Sequence, residues 1–420
     1  MFAVLALYVA ISGTLALALD SERCVHGAWA VCDQIRHLGL INYLIERPAS
    51  FLDYPDPWLV ATLPGFHLLV ALIARLFGLA VLGADTWLRL VPFGLGLAAV
   101  WILWRIYRDL SNNSAYASLL CLPILWSSYF YLPSLYLLTE NGAYLGYVFL
   151  LMAYLRFPRR GLVIGLAGAA MVFTRQVYLP VIASHLLVLA QRAPRGRFER
   201  GRILAVLLGA LPPMAIVVVY ALAWHGLVPP EVRDLHSGRT FVEFGPIAQA
   251  IGLLGVLAIP YGFLAYAALH RLDRRRIAAM VAIAVTAALV FWLLVPTTQD
   301  LDAGRDGSFL WSLASISPAI GEHALFTLPF LILGLIAGSI MLELARMLRY
   351  LPIELVMLAL YVAAMSMQLL SYQRYSEVLM LITLSATAAR LELPSGVGAA
   401  AFTTAYAAKL ALTFLVQVSQ

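Results

Sequence analysis

Long apolar runs separated by short polar clusters set the pattern of this chain. Apolar stretches of helix-forming length fall at 2–19, 87–107, 115–133, 138–155, 161–174, 177–191, 203–223, 246–269, 277–295, 324–343, 352–370, 376–391 and 398–418. Most approach the roughly 20 residues an α-helix needs to cross about 30 Å of hydrocarbon. The runs 161–174 and 177–191 are short, and Thr174-Arg175-Gln176 divides them. No stretch alternates apolar and polar residues as the strands of a membrane barrel do. The pattern predicts an all-α polytopic membrane protein with about 12–13 transmembrane helices. It shows no internal repeat of fixed period.

The run 59–78 is apolar enough to cross, yet it holds Thr62, Pro64, Gly65, His67 and Arg75. Charge decides its place. If 59–78 spans, Arg105 and Arg108 face outward and every later basic loop inverts with them. If it lies in the interface as a juxtamembrane helix, 17 basic and six acidic residues collect on one side. The other side then carries 10 basic and 16 acidic residues. Short Arg-rich loops face the cytosol. The expected topology therefore has a cytosolic N-terminus, an extracytoplasmic loop at 20–58 and a non-spanning helix at 59–78. The start, Met-Phe-Ala-Val, has no basic leader and reads as a retained first span.

Composition narrows the class further. Of the 420 residues 62% are hydrophobic and 12% charged, and no soluble core could bury so much apolar surface. The net charge of +6 is scattered over short loops and forms no basic face for nucleic acid. Cys24 and Cys32 share the first outer loop, where two thiols and one disulfide are equally compatible with the sequence; the third cysteine is Cys121. There is no phosphate-binding glycine loop, dinucleotide fingerprint, zinc spacing or serine-nucleophile elbow, which argues against a cytosolic nucleotide-dependent site.

Candidate chemistry gathers on the outer rim. The first outer loop holds Asp20, Glu22, Asp33, Glu46, Asp53 and Asp56. Glu22 reads as a topological stop. Asp20 leaves the first span, with His26 shortly after it, and reads as functional. In Asp53-Tyr-Pro-Asp-Pro-Trp the two prolines stiffen the backbone between the carboxylates. Glu140, in Leu138-Thr-Glu-Asn-Gly142, needs a partner or a ligand in so apolar a setting. Arg175, in Phe173-Thr-Arg-Gln176, is best accommodated where it meets an anion, and a phosphate suits its planar donor fork. Arg374, in Ser371-Tyr-Gln-Arg-Tyr375, holds an equivalent outer position. Taken alone, snorkelling to headgroups explains either arginine equally well. Together with the carboxylates they point to a lipid-phosphate site.

The same motifs resemble those of the polytopic GT-C glycosyltransferases, which take sugars from polyprenyl phosphates. The chain is most similar to the dolichyl-phosphate-glucose α-1,2-glucosyltransferase family. That family's Asp-Glu-x-x-His and Trp-Asp-Pro-x-Ile-Thr-Thr-x-Pro-Gly correspond here to Asp20 with His26, and to Asp56-Pro57 followed by Ala61–Gly65. Its Tyr-Thr-Asp-Thr-Gly resembles Leu138–Gly142, its Phe-Arg-Gln-Thr-Asn resembles Phe173–Gln176, and a late Asn-Arg-His-Tyr resembles Gln373-Arg374-Tyr375. The sequence departs from the family where Ser21 replaces a Glu, Glu140 replaces an Asp, and an extra residue precedes His26. Likeness is good over 15–190 and thin afterwards.

The resemblance implies a GT-C-like bundle with a catalytic module at 1–202, including the loop 20–58 and the helix 59–78, and a C-terminal module at 203–420. It implies transfer of a hexose from a polyprenyl or dolichyl phosphate to a lipid-linked or other glycan acceptor on the extracytoplasmic side. High Arg content and short loops look prokaryotic, placing the protein in the cytoplasmic membrane; a eukaryotic source would place it in the endoplasmic reticulum. Asp20 is the expected catalytic base with Asp56 assisting, and His26, Asp53, Glu140, Arg175, Gln176, Arg374 and Tyr375 are the expected substrate-binding residues. A divalent cation such as Mg or Mn and a metal-independent mechanism fit equally. Two competing classes are a lipid or solute transporter, which should carry charges at mid-span, and a lipid-linked oligosaccharide ligase or polymerase.

Overall fold

The computed structural model describes residues 3–10, 29–52, 60–78, 88–184, 187, 200–230, 244–262, 264, 269, 272–298, 309–348, 352–365 and 373–391. These residues are mostly helical. After a helical stretch at 3–10 come α1 (Trp29–Glu46), α2 (Gly65–Leu76), α3 (Leu90–Ser111), α4 (Ser114–Leu125), α5 (Ser128–Leu135), α6 (Glu140–Arg156) and α7 (Gly161–Thr174). A 3-10 helix, Gln176–Ala183, leads toward α8 (Arg200–Trp224). The remainder is α9 (Gly245–Ala258), α10 (Arg274–Leu294), α11 (Phe309–Ile316), α12 (Thr327–Met347), α13 (Ile353–Met365) and α14 (Gln373–Ala388).

Among the described residues, four helices are long and apolar enough to cross a membrane: Leu90–Ser111, Ile203–Trp224, Arg274–Leu294 and Thr327–Met347. A fifth candidate is α4 with α5, if that bent pair counts as one span. This is an all-α architecture with several membrane-crossing candidates. Of the about 12–13 expected spans, the described residues form these four or five candidates, and some runs are broken or short. The run 115–133 breaks at Trp126-Ser127 into two helices bent by 75°. Pro123 and Pro133 each remove a helical hydrogen bond on either side of that break. Run 177–191 opens as a 3-10 helix around Pro180. Run 59–78, which is not counted among the expected spans, holds α2, whose 12 residues after Pro64 rise only about 18 Å at 1.5 Å per residue.

The described strands are two residues each, Ala319–Ile320 (β1) paired antiparallel with His323–Ala324 (β2). Gly321, at φ 62°, makes the turn between them. Thr297 accepts from the Ala324 N–H at 2.9 Å and donates its own N–H to Glu322 O at 2.8 Å, which fastens the hairpin to the end of α10.

The chain divides into two compact units. One comprises Met1–Ile106, Leu125–His236 and Lys409–Gln420, and the other Tyr107–Ile124 and Ser237–Ala408. Within the first unit α8 packs on α7 through glycine. A Cβ at Gly161 would strike Ala205 O, and one at Gly165 would strike Leu208 O. Only glycine lets the two backbones come so close.

The second unit is built around α14. Residues 376–389 are all buried, and that helix carries Ser376, Glu377, Thr383, Ser385 and Thr387 inward with its apolar residues. Neighbouring tyrosines anchor it. Tyr107 donates to Ile382 O at 3.4 Å, Tyr116 donates to Ala388 O at 3.1 Å, and the Tyr261 hydroxyl pairs with Ser385 Oγ at 2.6 Å. At its end Arg390 grips the buried Glu354 of α13, Nη1 on Oε1 and Nη2 on Oε2 at 3.2 Å, and also donates to Ala386 O.

Candidate functional site

Glycine spacing positions the site in the first unit. Gly142 and Gly146 lie one turn apart on α6 and face the last turn of α7. A Cβ on Gly146 would sit 2.7 Å from Met171 Cα, and one on Gly142 would sit 2.9 Å from Thr174 Cγ2. The start of α6 is thereby pressed against the end of α7. Gly65, the first residue of α2, meets the same place, since a Cβ there would be 2.6 Å from Phe173 O. Three segments distant in sequence, 61–65, 138–142 and 173–176, thus converge.

At that convergence Glu140 and Arg175 form an ion pair. Arg175 Nη1 donates to Glu140 Oε1 at 2.5 Å, with the side chains only 11% and 5% exposed. Each had been read from sequence as a charge in need of a partner or ligand. The structure gives each to the other. Glu140 opens α6, where the positive end of the helix also favours a carboxylate, and Arg175 follows α7 with extended backbone.

Gln176 serves the framework. Its Oε1 accepts from the Leu63 N–H at 3.3 Å, and its Nε2 donates to Ala61 O at 2.6 Å and to Leu227 O at 3.0 Å. An amide has one acceptor oxygen and two N–H donors, so these bonds use both donors. The side chain ties three chain segments together beside Arg175. Next to Glu140, fully buried Asn141 donates to Pro92 O at 3.1 Å and to Ser134 Oγ at 2.7 Å, and Ser134 also receives the Tyr8 hydroxyl at 2.6 Å.

No family model, curated protein or solved structure matches the chain. The site therefore has to be read from its own geometry.

A histidine pair adjoins this region. His37 Nδ1 and His67 Nε2 are 2.8 Å apart, joining α1 to α2, and the rings stack with centroids 5.0 Å apart. Thirty positions separate them, His37 in the first outer loop and His67 in the run 59–78, and no local motif joins the two. His67 is fully buried, and its Nδ1 has no hydrogen-bond partner. Burial first, then the charge of His37, pushes its pKa well below the ordinary histidine value.

The remaining expected site residues divide into two groups. Asp20, His26, Asp53 and Asp56 lie outside the described residues, as does Cys24. Arg374 and Tyr375 begin α14 in the second unit, with their side chains outside the description. Among the described residues no three His, Cys, Asp or Glu side chains gather as metal ligands.

Proposed function

We propose that this protein is a membrane glycosyltransferase that moves a hexose from a polyprenyl phosphate to a glycan or lipid-linked acceptor at the extracytoplasmic face. One observation carries the reading. The Ala61–Gly65, Leu138–Gly142 and Phe173–Gln176 motifs, up to 115 residues apart in the chain, meet beside one part-buried arginine. The glycines account for the close packing, and the guanidinium set among the helix ends adds a cation whose donor fork suits a phosphate.

Chemically, the anomeric C–O bond to phosphate breaks with its electron pair leaving on the phosphate oxygen. The acceptor hydroxyl attacks the opposite face of the sugar, and a carboxylate takes its proton. The leaving phosphate is stable as an anion, so a cation in the Arg175 position suffices to stabilise it. One base on the face opposite the phosphate gives inversion. Asp20 fills that role in this reading, with Asp56 assisting.

Purified protein in nanodiscs, given labelled polyprenyl-phosphate hexoses and a glycolipid extract, tests it. Label should move to an acceptor with inverted configuration, and Asp20→Asn should abolish transfer while the protein still inserts and binds donor. Binding of the donor with no transfer to any acceptor, and its movement across the bilayer, would favour a transporter and overturn the reading.

A further inference from the structure

We propose that Glu140 is a resident counter-anion. It holds the phosphate position on Arg175 between turnovers and competes the polyprenyl phosphate product off that arginine. This rests on the reading of Arg175 as the phosphate-binding residue.

Arg175 is 11% exposed, and a guanidinium so enclosed is destabilising unless an anion meets it. A lipid phosphate is there for only part of a reaction cycle. A carboxylate on the same nitrogen stabilises the site for the rest of it, and carboxylate and phosphate oxygens fit the same donor fork. Exchange between them needs only side-chain movement. The backbones of α6 and α7 are locked by the Gly146–Met171 and Gly142–Thr174 contacts, and Gln176 holds the segment after Arg175. When Glu140 releases Arg175, the first turn of α6 still favours its negative charge.

Charge gives the exchange a direction. The donor is a phosphodiester with a single negative charge. The product is a phosphomonoester carrying about −1.5 to −2 at neutral pH. A lone arginine therefore holds product more tightly than donor, which is product inhibition. Glu140 cancels most of that preference, because it repels the more charged product more strongly.

Binding of a polyprenyl monophosphate to the protein in nanodiscs tests this, with polyprenol and inorganic phosphate as comparisons. Polyprenol reports the lipid chain alone, and inorganic phosphate the anion alone. Glu140→Gln should bind polyprenyl phosphate about tenfold tighter or more, the scale of one nearby charge removed in a poorly screened site. Arg175→Gln should bind it more weakly, and removing Glu140 in that background should gain much less than it does beside Arg175. Glu140→Asp, which keeps the charge but withdraws it, should show a gain of about threefold and covers the case in which the glutamine variant does not fold. An unchanged or weaker affinity in a folded Glu140 variant overturns the proposal, as does an equal gain in the Arg175→Gln background. Loss of sugar transfer from every donor in the wild type would sink the transferase reading, while these affinities would still decide the role of Glu140.

Discussion

Two buried glutamate–arginine pairs invite comparison, because local sequence hardly separates them. Glu140 and Arg175 are 35 residues apart, Glu354 and Arg390 are 36 apart, and in each case the glutamate stands in the first turn of a helix. Their surroundings differ. Arg390 meets both oxygens of Glu354 and the carbonyl of Ala386, at side-chain exposures of 7% and 0%. Its partner helix is the buried centre of the second unit. Arg175 meets Glu140 where three chain segments end, beside a glutamine that braces the chain on either side. A charge pair sunk in a helix–helix contact holds packing in place. One set at the convergence of helix ends, and less enclosed, is placed where a ligand can exchange with one partner. Ionic character is common to both, and location assigns the role.

The largest expected effect belongs to the pair we read as structural. Glu354→Ala strands a buried guanidinium and should destabilise the protein by about 3–5 kcal/mol, visible as a lower midpoint in thermal unfolding. Replacing both partners with Leu should recover most of the loss. A double variant no more stable than the single one would remove the distinction between the pairs.

Next comes the pair we propose as functional. Arg175→Lys retains the charge and loses the planar fork, so hexose transfer should fall by about one order of magnitude or more, with little change in thermal midpoint. Wild-type transfer in that variant would take Arg175 out of the site. Gly146→Ala should cost about 1–3 kcal/mol, because its new methyl meets the Met171 backbone, which cannot move aside. Gly142→Ala should cost less, since it meets side-chain atoms only, those of Thr174 and Phe66, which can give way. Equal effects at the two positions would contradict the packing described for α6 and α7.

The smallest effect is a pH dependence at the His37–His67 contact. His67 has a depressed pKa in the folded protein, so between that value and about 6.5 the unfolded chain takes up a proton that the native dyad refuses. Its contribution to stability is full above about pH 6.5 and is lost as pH falls through that window, by at most about 1.4 kcal/mol per pH unit. Alongside His37 on α1 stand Asp33 and Arg36, whereas α7 contributes no titratable side chain to this contact. His67→Gln keeps a hydrogen-bonding group there and should flatten the acid limb of the stability profile. A profile identical to wild type would show that the dyad does not set it.

Much of the helical framework was legible because hydropathy is local. Gly161–Thr174 has the bounds the pattern gave it, and the four candidate crossing helices lie within a few residues of runs 87–107, 203–223, 277–295 and 324–343. The break at Trp126-Ser127 was not read, since the hydropathy of 115–133 stays high through Pro123 and gives no sign of a bend. Glu140 and Arg175 were legible as charges needing company. That they would keep each other's was not, because pairing across 35 residues depends on how Gly142 and Gly146 dock against Met171 and Thr174. The same holds for His37 with His67. Glu354 and Arg390 fall within the ends of runs 352–370 and 376–391, and nothing in their local sequence marks them as buried together.

Hydrogen–deuterium exchange on the nanodisc-embedded protein, with and without a polyprenyl phosphate, tests the contrast between the pairs most directly. Protection is expected in peptides covering 61–67, 138–146 and 171–178, with none at 353–365 or 386–391. Protection at the Glu354–Arg390 peptides with none around Arg175 would contradict it.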